Sequence, residues 1–201
     1  MALSSKHRSS PWQITLLHIA FIFLIPSLLQ AQQLHNQLAN ATVLIVRHAE
    51  KPASGSSLTP DGFARATKYA HYFWPFHIDG ADVTPNALYA GQDSASSIRP
   101  RLTLEPLSHA SGLPLNTEFP TTAPEALANA LATTQHGNHI LIAWRHGKIP
   151  ALLKSLHADP NLLLPNGVWP DSVYDWVILL RYDAQGNLET QRVIHEPAPL
   201  P

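Results

Sequence analysis

The sequence predicts one α/β domain built as a three-layer sandwich, with helices on both faces of a mainly parallel sheet. Two runs, residues 42–46 and 139–144, are almost wholly apolar and lack polar alternation, which is typical of strands buried on both faces. Strand-like and helix-like segments alternate along the chain, as they do when helices connect parallel strands. About 170 residues follow the first thirty, enough for one domain with a sizeable core.

The remaining elements are predicted from start signals and periodicity. Thr59 is a candidate N-cap before Pro60, and the helix that follows continues to Ala70. The other predicted helices span 98–109, 123–134 and 151–157, and the other predicted strands span 87–90, 113–119, 174–181 and 188–194. The last two strands flank a turn at 183–187 and form an antiparallel pair at the end of the chain. Residues 161–170 are rich in Pro and Asn and predict a loop.

The amino terminus has the three-part pattern of a secretory signal peptide. Basic residues at 6–8 precede an apolar stretch over 14–29, and the small residue Ala31 follows. We therefore expect a signal peptide over 1–31, a linker over 32–41 and a domain over 42–201, and an exported, periplasmic or secreted protein. An uncleaved anchor is the alternative, although this stretch is short against the ~20 residues that span a bilayer.

Composition excludes several classes of protein. The chain carries 13 basic and 14 acidic residues and no basic run, so nothing indicates a nucleic-acid partner. The absence of cysteine excludes disulfides, thiolate chemistry and Cys-based zinc sites. The twelve histidines are scattered, without the spacing of a metal site. We therefore predict no metal and no cofactor, and any anion site must be local.

Both apolar strands end on an Arg-His pair. Arg47-His48 follows the first strand, and Arg145-His146 follows the second. In open α/β sheets ligands bind at the carboxyl ends of the strands. An Arg offers a planar fork of donors to an anion, and a neutral His is a nucleophile or base near neutral pH. One such pair could simply be two solvated residues, but two of them indicate a site that handles phosphate.

Four motifs follow one another in the order found in a known family. They are Arg47-His48-Ala49-Glu50, then Leu58-Thr59-Pro60-Asp61-Gly62, then Arg99 with Thr103, and finally Arg145-His146-Gly147-Lys148-Ile149-Pro150. Together, over residues 42–195, they resemble the histidine phosphatase superfamily in its phosphoglycerate-mutase-like branch. The last motif departs from the family pattern, because it lacks the usual Gly before the His and the Ser-Asn after it. The segment 91–95 also replaces the usual Ser-Pro-containing turn.

The resemblance implies a phosphate site without metal or cofactor. It implies that His48 is a nucleophile that forms a phosphohistidine, which water then hydrolyses. Arg47 and Arg99 would bind the phosphate through charge-assisted hydrogen bonds, and His146 would donate a further one. Arg101 competes with Arg99 for this role, and the spacing to Thr103 favours Arg99.

The leaving oxygen also needs a proton, which a general acid supplies. Mutase-like members of the family use a Glu in the segment after the Arg helix, which makes Glu125 our candidate. Glu125 also lies at the start of a predicted helix, where the helix dipole alone favours a carboxylate. Glu118 and Glu50 are weaker alternatives, and some relatives lack an obvious acid, which suits phosphoramidate substrates.

The resemblance and the amino terminus together favour one function. We expect an exported phosphatase that acts on a small phosphomonoester or a phosphohistidine, with a small phosphorylated molecule or a phosphoprotein as its partner. A phosphoglycerate-mutase-type phosphotransferase is one alternative, which export disfavours. The other is a non-catalytic anion-binding domain that kept the fold, although such a domain does not need a nucleophile.

Overall fold

The computed structural model describes Met1 and residues 36–201. The predicted signal peptide, apart from Met1, and its cleavage site lie outside the described residues. No helix in the described part of the chain is long and apolar enough to cross a membrane.

Residues 36–41, which we assigned to a linker, pack on the domain. The backbone amide of Gln37 donates to the carbonyl of Ala132 at 2.9 Å, and Leu38 is buried in the core. The described domain therefore includes this segment as well as residues 42–201.

A six-stranded sheet forms the middle layer. Its strands are β1 (Thr42–Arg47), β4 (Ala87–Ala90), β5 (Leu115–Asn116), β6 (His139–Trp144), β7 (Trp176–Tyr182) and β8 (Leu188–His195), and a separate hairpin pairs β2 (His77–Ile78) with β3 (Ala81–Asp82). The spatial order in the large sheet is β5-β4-β6-β1-β7-β8. The first four of these strands run parallel, while β7 and β8 run antiparallel to their neighbours.

Helices form the two outer layers. They are α1 (Pro60–Tyr72), α2 (Arg99–Ser111), α3 (Pro124–Thr133), α4 (Ile149–Ser155) and α5 (Pro160–Leu163), with 3-10 turns at His146–Lys148 and Pro165–Gly167. Thr59 caps α1 as predicted, because its hydroxyl accepts from the backbone amide of Gly62 at 3.1 Å. Helices α1 and α2 pack on one face of the sheet, and α3, α4 and α5 on the other.

The core has two halves that share the central strands. Along β1, Val43 and Ile45 belong to the apolar cluster under α3–α5, whereas Leu44 and Val46 belong to the cluster under α1 and α2. All of β1 is buried, as expected for a strand covered on both faces. The predicted three-layer α/β class with its terminal antiparallel pair is confirmed.

Three segments differ from the sequence-based expectation. The strand predicted over 113–119 is reduced to Leu115–Asn116, because β5 is an edge strand whose pairing is limited to two residues of β4. The loop predicted over 161–170 contains α5, whose first turn is capped by Asp159, and the second 3-10 turn. The β2–β3 hairpin was not predicted, since two-residue strands leave no readable periodicity.

The core position Leu141 gives a test of the fold. Leu141 is fully buried in the middle of β6, whereas Leu162 is 74% exposed. We expect Leu141→Ala to lower the free energy of unfolding by about 2–5 kcal/mol, because the substitution leaves a cavity between packed layers. The matched variant Leu162→Ala should change it by less than about 0.5 kcal/mol. Urea denaturation followed by circular dichroism measures both, and equal effects of the two variants would contradict the described core.

Candidate active site

His48 lies directly after β1 and is held by the backbone. His48 is 1% exposed, and its backbone amide donates to the carbonyl of Trp144 on β6 at 2.9 Å. Its Nδ1 lies 2.8 Å from the carbonyl oxygen of Ala49. Because a carbonyl oxygen can only accept, Nδ1 carries the proton and Nε2 keeps its lone pair.

The surroundings of His48 keep its imidazole neutral. Burial and the positive charges of Arg47 and Arg99 together lower the pKa of His48 to about 3, against the opposing effect of the hydrogen bond to Ala49. The ring is therefore uncharged at neutral pH. A neutral imidazole with a free Nε2 is competent as a nucleophile.

Thr103 ties the His48 loop to helix α2. Its hydroxyl accepts from the backbone amide of Ala49 at 2.9 Å and donates to the carbonyl of Arg99 at 2.8 Å. Thr103 is fully buried. The four-residue spacing of Arg99 and Thr103 thus has a physical meaning, because one helical turn places the Thr against the loop and the Arg at the start of the helix.

Arg99 is part of the same cluster. Its Nη1 donates to the carbonyl of Gly55 at 2.8 Å and its Nη2 to that of Ser96 at 3.2 Å. Its Nε is buried and has no hydrogen-bond partner in the described part of the chain. Burial, together with the nearby charge of Arg145, lowers the pKa of Arg99, and the charge of Arg99 in turn is felt by His48.

Arg101, the competitor of Arg99, is engaged elsewhere. Its guanidinium forms ion pairs with Asp93 at 2.9 Å and with Glu105 at 3.1 Å. Its side chain is 30% exposed. The charge of Arg99 acts on His48, whereas Arg101 belongs to a surface ion-pair network. The phosphate-binding role of Arg99 stays a prediction.

Arg47 binds the segment that precedes β7. Its Nη1 donates to the carbonyls of Asp171 at 2.7 Å and Val173 at 2.9 Å, with a longer contact to Pro170 at 3.3 Å. Its Nη2 donates to the hydroxyl of Tyr174 at 3.0 Å, and the guanidinium lies 3.7 Å from the centroid of that ring. Both Nη atoms of Arg47 thus donate hydrogen bonds within the protein, whereas its buried Nε lacks a partner among the described residues.

His146 completes the cluster from the end of β6. Its ring lies edge-on to that of His48, with 5.8 Å between the centroids. Its Nε2 is 2.6 Å from Oδ1 of Asp171, and its Nδ1 is buried without a partner in the described region. Burial and the charges of Arg47 and Lys51 lower the pKa of His146, and Asp171 opposes them.

The cluster has an excess of positive charge. Arg47, Lys51 and His146 act on the carboxyl of Asp171 strongly enough to lower its pKa, and Arg145 adds a cation beside Arg99. Buried nitrogens of Arg47, Arg99 and His146 lie in the same cluster without partners in the described structure. This arrangement suits an anion with several oxygens.

None of the three candidate acids forms part of this cluster by hydrogen bond or ion pair among the described residues. Glu125 is exposed in the first turn of α3, a position that the helix dipole alone favours. Glu118 is also exposed. Glu50 is bound by Arg65 at 2.8 Å. The role of Glu125 as general acid stays a prediction.

The sequence analysis missed Asp171 and Tyr174. We assigned Tyr174 to a strand and Asp171 to no role. Both meet Arg47 across more than 120 residues of chain, so no local pattern indicates the contact.

Two cavities are lined by residues other than His48 and His146. One of about 460 Å³ is lined by residues 86–89, 114–118 and 136–137. The other, of about 350 Å³, lies between Glu50, Lys68 and the segment 196–200. In the described part of the chain no group of three or more His, Asp or Glu side chains is placed to hold a metal ion.

Comparison with known proteins identifies the fold. A protein of Escherichia coli K-12 assigned as an alpha-ribazole-5′-P phosphatase is 15% identical, with a TM-score of 0.52 over 78% of this chain and 96% of that one. The phosphoserine phosphatase of Entamoeba histolytica, in complex with 3-phosphoglyceric acid, is 10% identical, with a TM-score of 0.50 over 75% and 96%. A SixA protein of Nakamurella multipartitia, assigned as a phosphohistidine phosphatase, is 21% identical, with a TM-score of 0.46 over 77% and 95%.

No family model matches the sequence, and no curated protein sequence does either. The fold assignment therefore depends on the three-dimensional arrangement, in which the six-stranded sheet and its covering helices agree with the Escherichia coli and Entamoeba histolytica structures. The chain has the phosphoglycerate-mutase-like fold.

Proposed function

We propose that the chain is a metal-independent phosphatase that hydrolyses a phosphomonoester or a phosphohistidine through a covalent phosphohistidine on His48. One observation carries the proposal: His48 is neutral, its Nδ1–H is bound to Ala49, and its Nε2 lone pair is free beside a cluster of cations. This is the state that a histidine nucleophile requires.

The proposed reaction has two steps. Nε2 of His48 attacks phosphorus in line, the P–Nε2 bond forms, and the bond from phosphorus to the leaving group breaks. The leaving group takes a proton from an acid, for which Glu125 is the predicted candidate, or from water. The ring is positively charged in the phosphorylated state, and the carbonyl of Ala49 stabilises that charge through the Nδ1–H bond. Water then attacks the phosphohistidine, releases phosphate and restores the neutral ring.

The cations supply the rest of the catalysis. Phosphoryl transfer requires positioning and positive charge around the equatorial oxygens more than covalent chemistry. The buried Nε groups of Arg47 and Arg99 are donors without partners among the described residues, and the buried Nδ1 of His146 has no partner there either. Each such preorganised donor is typically worth about 3 kcal/mol in the transition state.

Experiment can distinguish this proposal from its two alternatives, a non-catalytic anion-binding domain and a mutase-type enzyme. A non-catalytic anion-binding domain would bind phosphate through Arg47 and Arg99 but would never accumulate a phosphorylated His48. A mutase-type enzyme would form the same phosphohistidine but pass it to a second substrate hydroxyl instead of water. The unpaired state of Nε2 of His48 among the described residues favours either enzyme over the binding domain. Export, which is itself a proposal from the amino-terminal sequence, would favour hydrolysis.

Substitution of His48 tests the nucleophile. We expect His48→Asn to lower turnover of p-nitrophenyl phosphate and of a phosphohistidine peptide by more than ~100-fold, because the amide cannot accept the phosphoryl group. Acid-labile, base-stable phosphate should be trapped on wild-type protein by rapid quenching at high pH, and mass spectrometry should place it on His48. The variant should show none.

The control is His109→Asn, since His109 is exposed on α2. It should retain full turnover and a trapped phosphate. Circular dichroism melting of the His48 variant checks that the domain is intact. Equal turnover by His48→Asn and wild type would refute the nucleophile assignment, and tight phosphate binding without turnover by the wild type would favour the binding domain.

Arg99 and Arg101 form a matched pair for testing the phosphate site. We expect Arg99→Lys to lower kcat/KM about 100-fold, because the ammonium cannot replace the planar fork at Nε. Arg101→Lys should leave kcat/KM within about twofold, since its partners are the surface carboxylates Asp93 and Glu105. Steady-state kinetics on p-nitrophenyl phosphate measures both. A larger loss in Arg101→Lys would reverse the assignment.

We also propose that the protein is exported, periplasmic or secreted, and that the amino-terminal segment is a cleaved signal peptide. The support is the basic, apolar and small-residue pattern over residues 1–31. Edman sequencing of the protein recovered outside the cytoplasm should give Gln32 as the first residue. Recovery of intact chain from Met1 in the membrane fraction would instead support an uncleaved anchor.

A further inference from the structure

The carboxylate of Asp171 lies against the second histidine of the cluster. Its Oδ1 is 2.6 Å from Nε2 of His146. The Asp171 side chain is 80% exposed, so it keeps its hydration and remains ionised with little cost. The charges of His146, Lys51 and Arg47 lower the pKa of Asp171 further. An ionised carboxylate can only accept, and Nε2 of His146 therefore carries a proton.

The backbone of Asp171 is fixed by the cluster itself. Arg47 donates to the carbonyls of Asp171 and Val173 and to the hydroxyl of Tyr174. Three donated hydrogen bonds and the stacked ring anchor the segment on a buried guanidinium. The contact between Asp171 and His146 is therefore built on an anchored backbone, even though the carboxylate itself is solvated.

The proton on Nε2 has a consequence for the other nitrogen of His146. When the His146 ring is neutral, Nδ1 therefore carries a lone pair and no proton. That lone pair would repel the lone pairs of a phosphoryl oxygen. Nδ1 is buried and has no partner in the described structure. It can donate to a phosphoryl oxygen only when the ring is an imidazolium, in which both nitrogens carry protons.

We propose that Asp171 is a positioning residue for His146: its carboxylate fixes the ring through Nε2–H and supports the imidazolium, so that Nδ1–H donates to the phosphoryl group. The part of this inference that concerns phosphate rests on the proposed function, whereas the Asp171–His146 pair does not.

The charges around His146 determine the direction in which its pKa should change when Asp171 is replaced. The ring is faced by Arg47 at the end of β1, by His48 and Lys51 in the loop after it, and by Asp171 in the segment before β7. Arg47 and Lys51 lower the pKa of His146, and Asp171 raises it. Removing the charge of Asp171 leaves the cations unopposed, so the imidazolium is lost at lower pH.

Asp171→Asn is the test, with two readouts. In the resting protein, NMR titration of the His146 ring should show a lower pKa in the variant than in wild type. In turnover of p-nitrophenyl phosphate, the alkaline limb of kcat/KM should move to lower pH. A shift of one pH unit corresponds to about a tenfold loss of kcat/KM above the pKa. Asp171→Glu should restore part of the profile.

Asp175→Asn is the matched control, because Asp175 belongs to the same segment and its carboxylate lies 4.0 Å from His195, outside the cluster. It should leave both readouts unchanged. In a His146→Gln background, Asp171→Asn should have no further effect on kcat/KM, since the two residues act through one another.

Three results would overturn the inference. The first is an unchanged titration of His146 in Asp171→Asn. The second is a loss of activity without a movement of the alkaline limb, which would make Asp171 merely an anchor of its segment. The third is a gain of activity, which would mean that the carboxylate competes with phosphate. If the wild type turns over no substrate, the proposed function fails, while the titration still decides the Asp171–His146 pair.

Discussion

The parallel pairing of β1 with β6 is the constraint on which the candidate site depends. The register sets Arg47 beside Trp144, and the backbone amide of His48 continues the ladder to the Trp144 carbonyl at 2.9 Å. Because both strands run in the same direction, their carboxyl ends open at one edge of the sheet. Two histidines 98 positions apart in the sequence are thereby brought to ring centroids 5.8 Å apart. A slip of one residue would turn every side chain of β1 to the opposite face.

Burial is the second constraint, and it affects the basic residues in different ways. For His48 it removes the charge and leaves a nucleophile. For Arg47 the charge persists, so the buried guanidinium needs partners, and it takes them from the carbonyls of the segment before β7. The Nη atoms of Arg47 thus hold a wall of the site, and its buried Nε has no partner among the described residues. The phosphate-binding role of Arg47 stays a prediction.

Local sequence signals predicted the long strands, the start of α1 and the spacing of Arg99 and Thr103, because each of these depends on neighbouring residues in the chain. The apolar runs placed β1 and β6, the Thr59–Pro60 start placed α1, and the spacing to Thr103 favoured Arg99 over Arg101. The contact of Arg47 with the segment 170–174 joins residues more than 120 positions apart, and nothing in either segment alone indicates it. The short elements β2, β3 and α5 escaped prediction, and the strand predicted over 113–119 came out shorter as β5, because packing decides segments of two to four residues.

The two histidines show how one residue type takes two roles in the same site. Burial and the charge of Arg47 lower the pKa of both rings. The difference lies in the acceptor that each ring faces. A neutral backbone carbonyl at Nδ1 of His48 orients that ring without favouring a charge strongly, whereas a carboxylate at Nε2 of His146 compensates a positive ring. Pairs of titratable groups whose environments separate their protonation states are typical of acid and base assignments in enzymes. Here Asp171, which lies in the segment that Arg47 holds in place, raises the pKa of His146 against burial and the neighbouring cations.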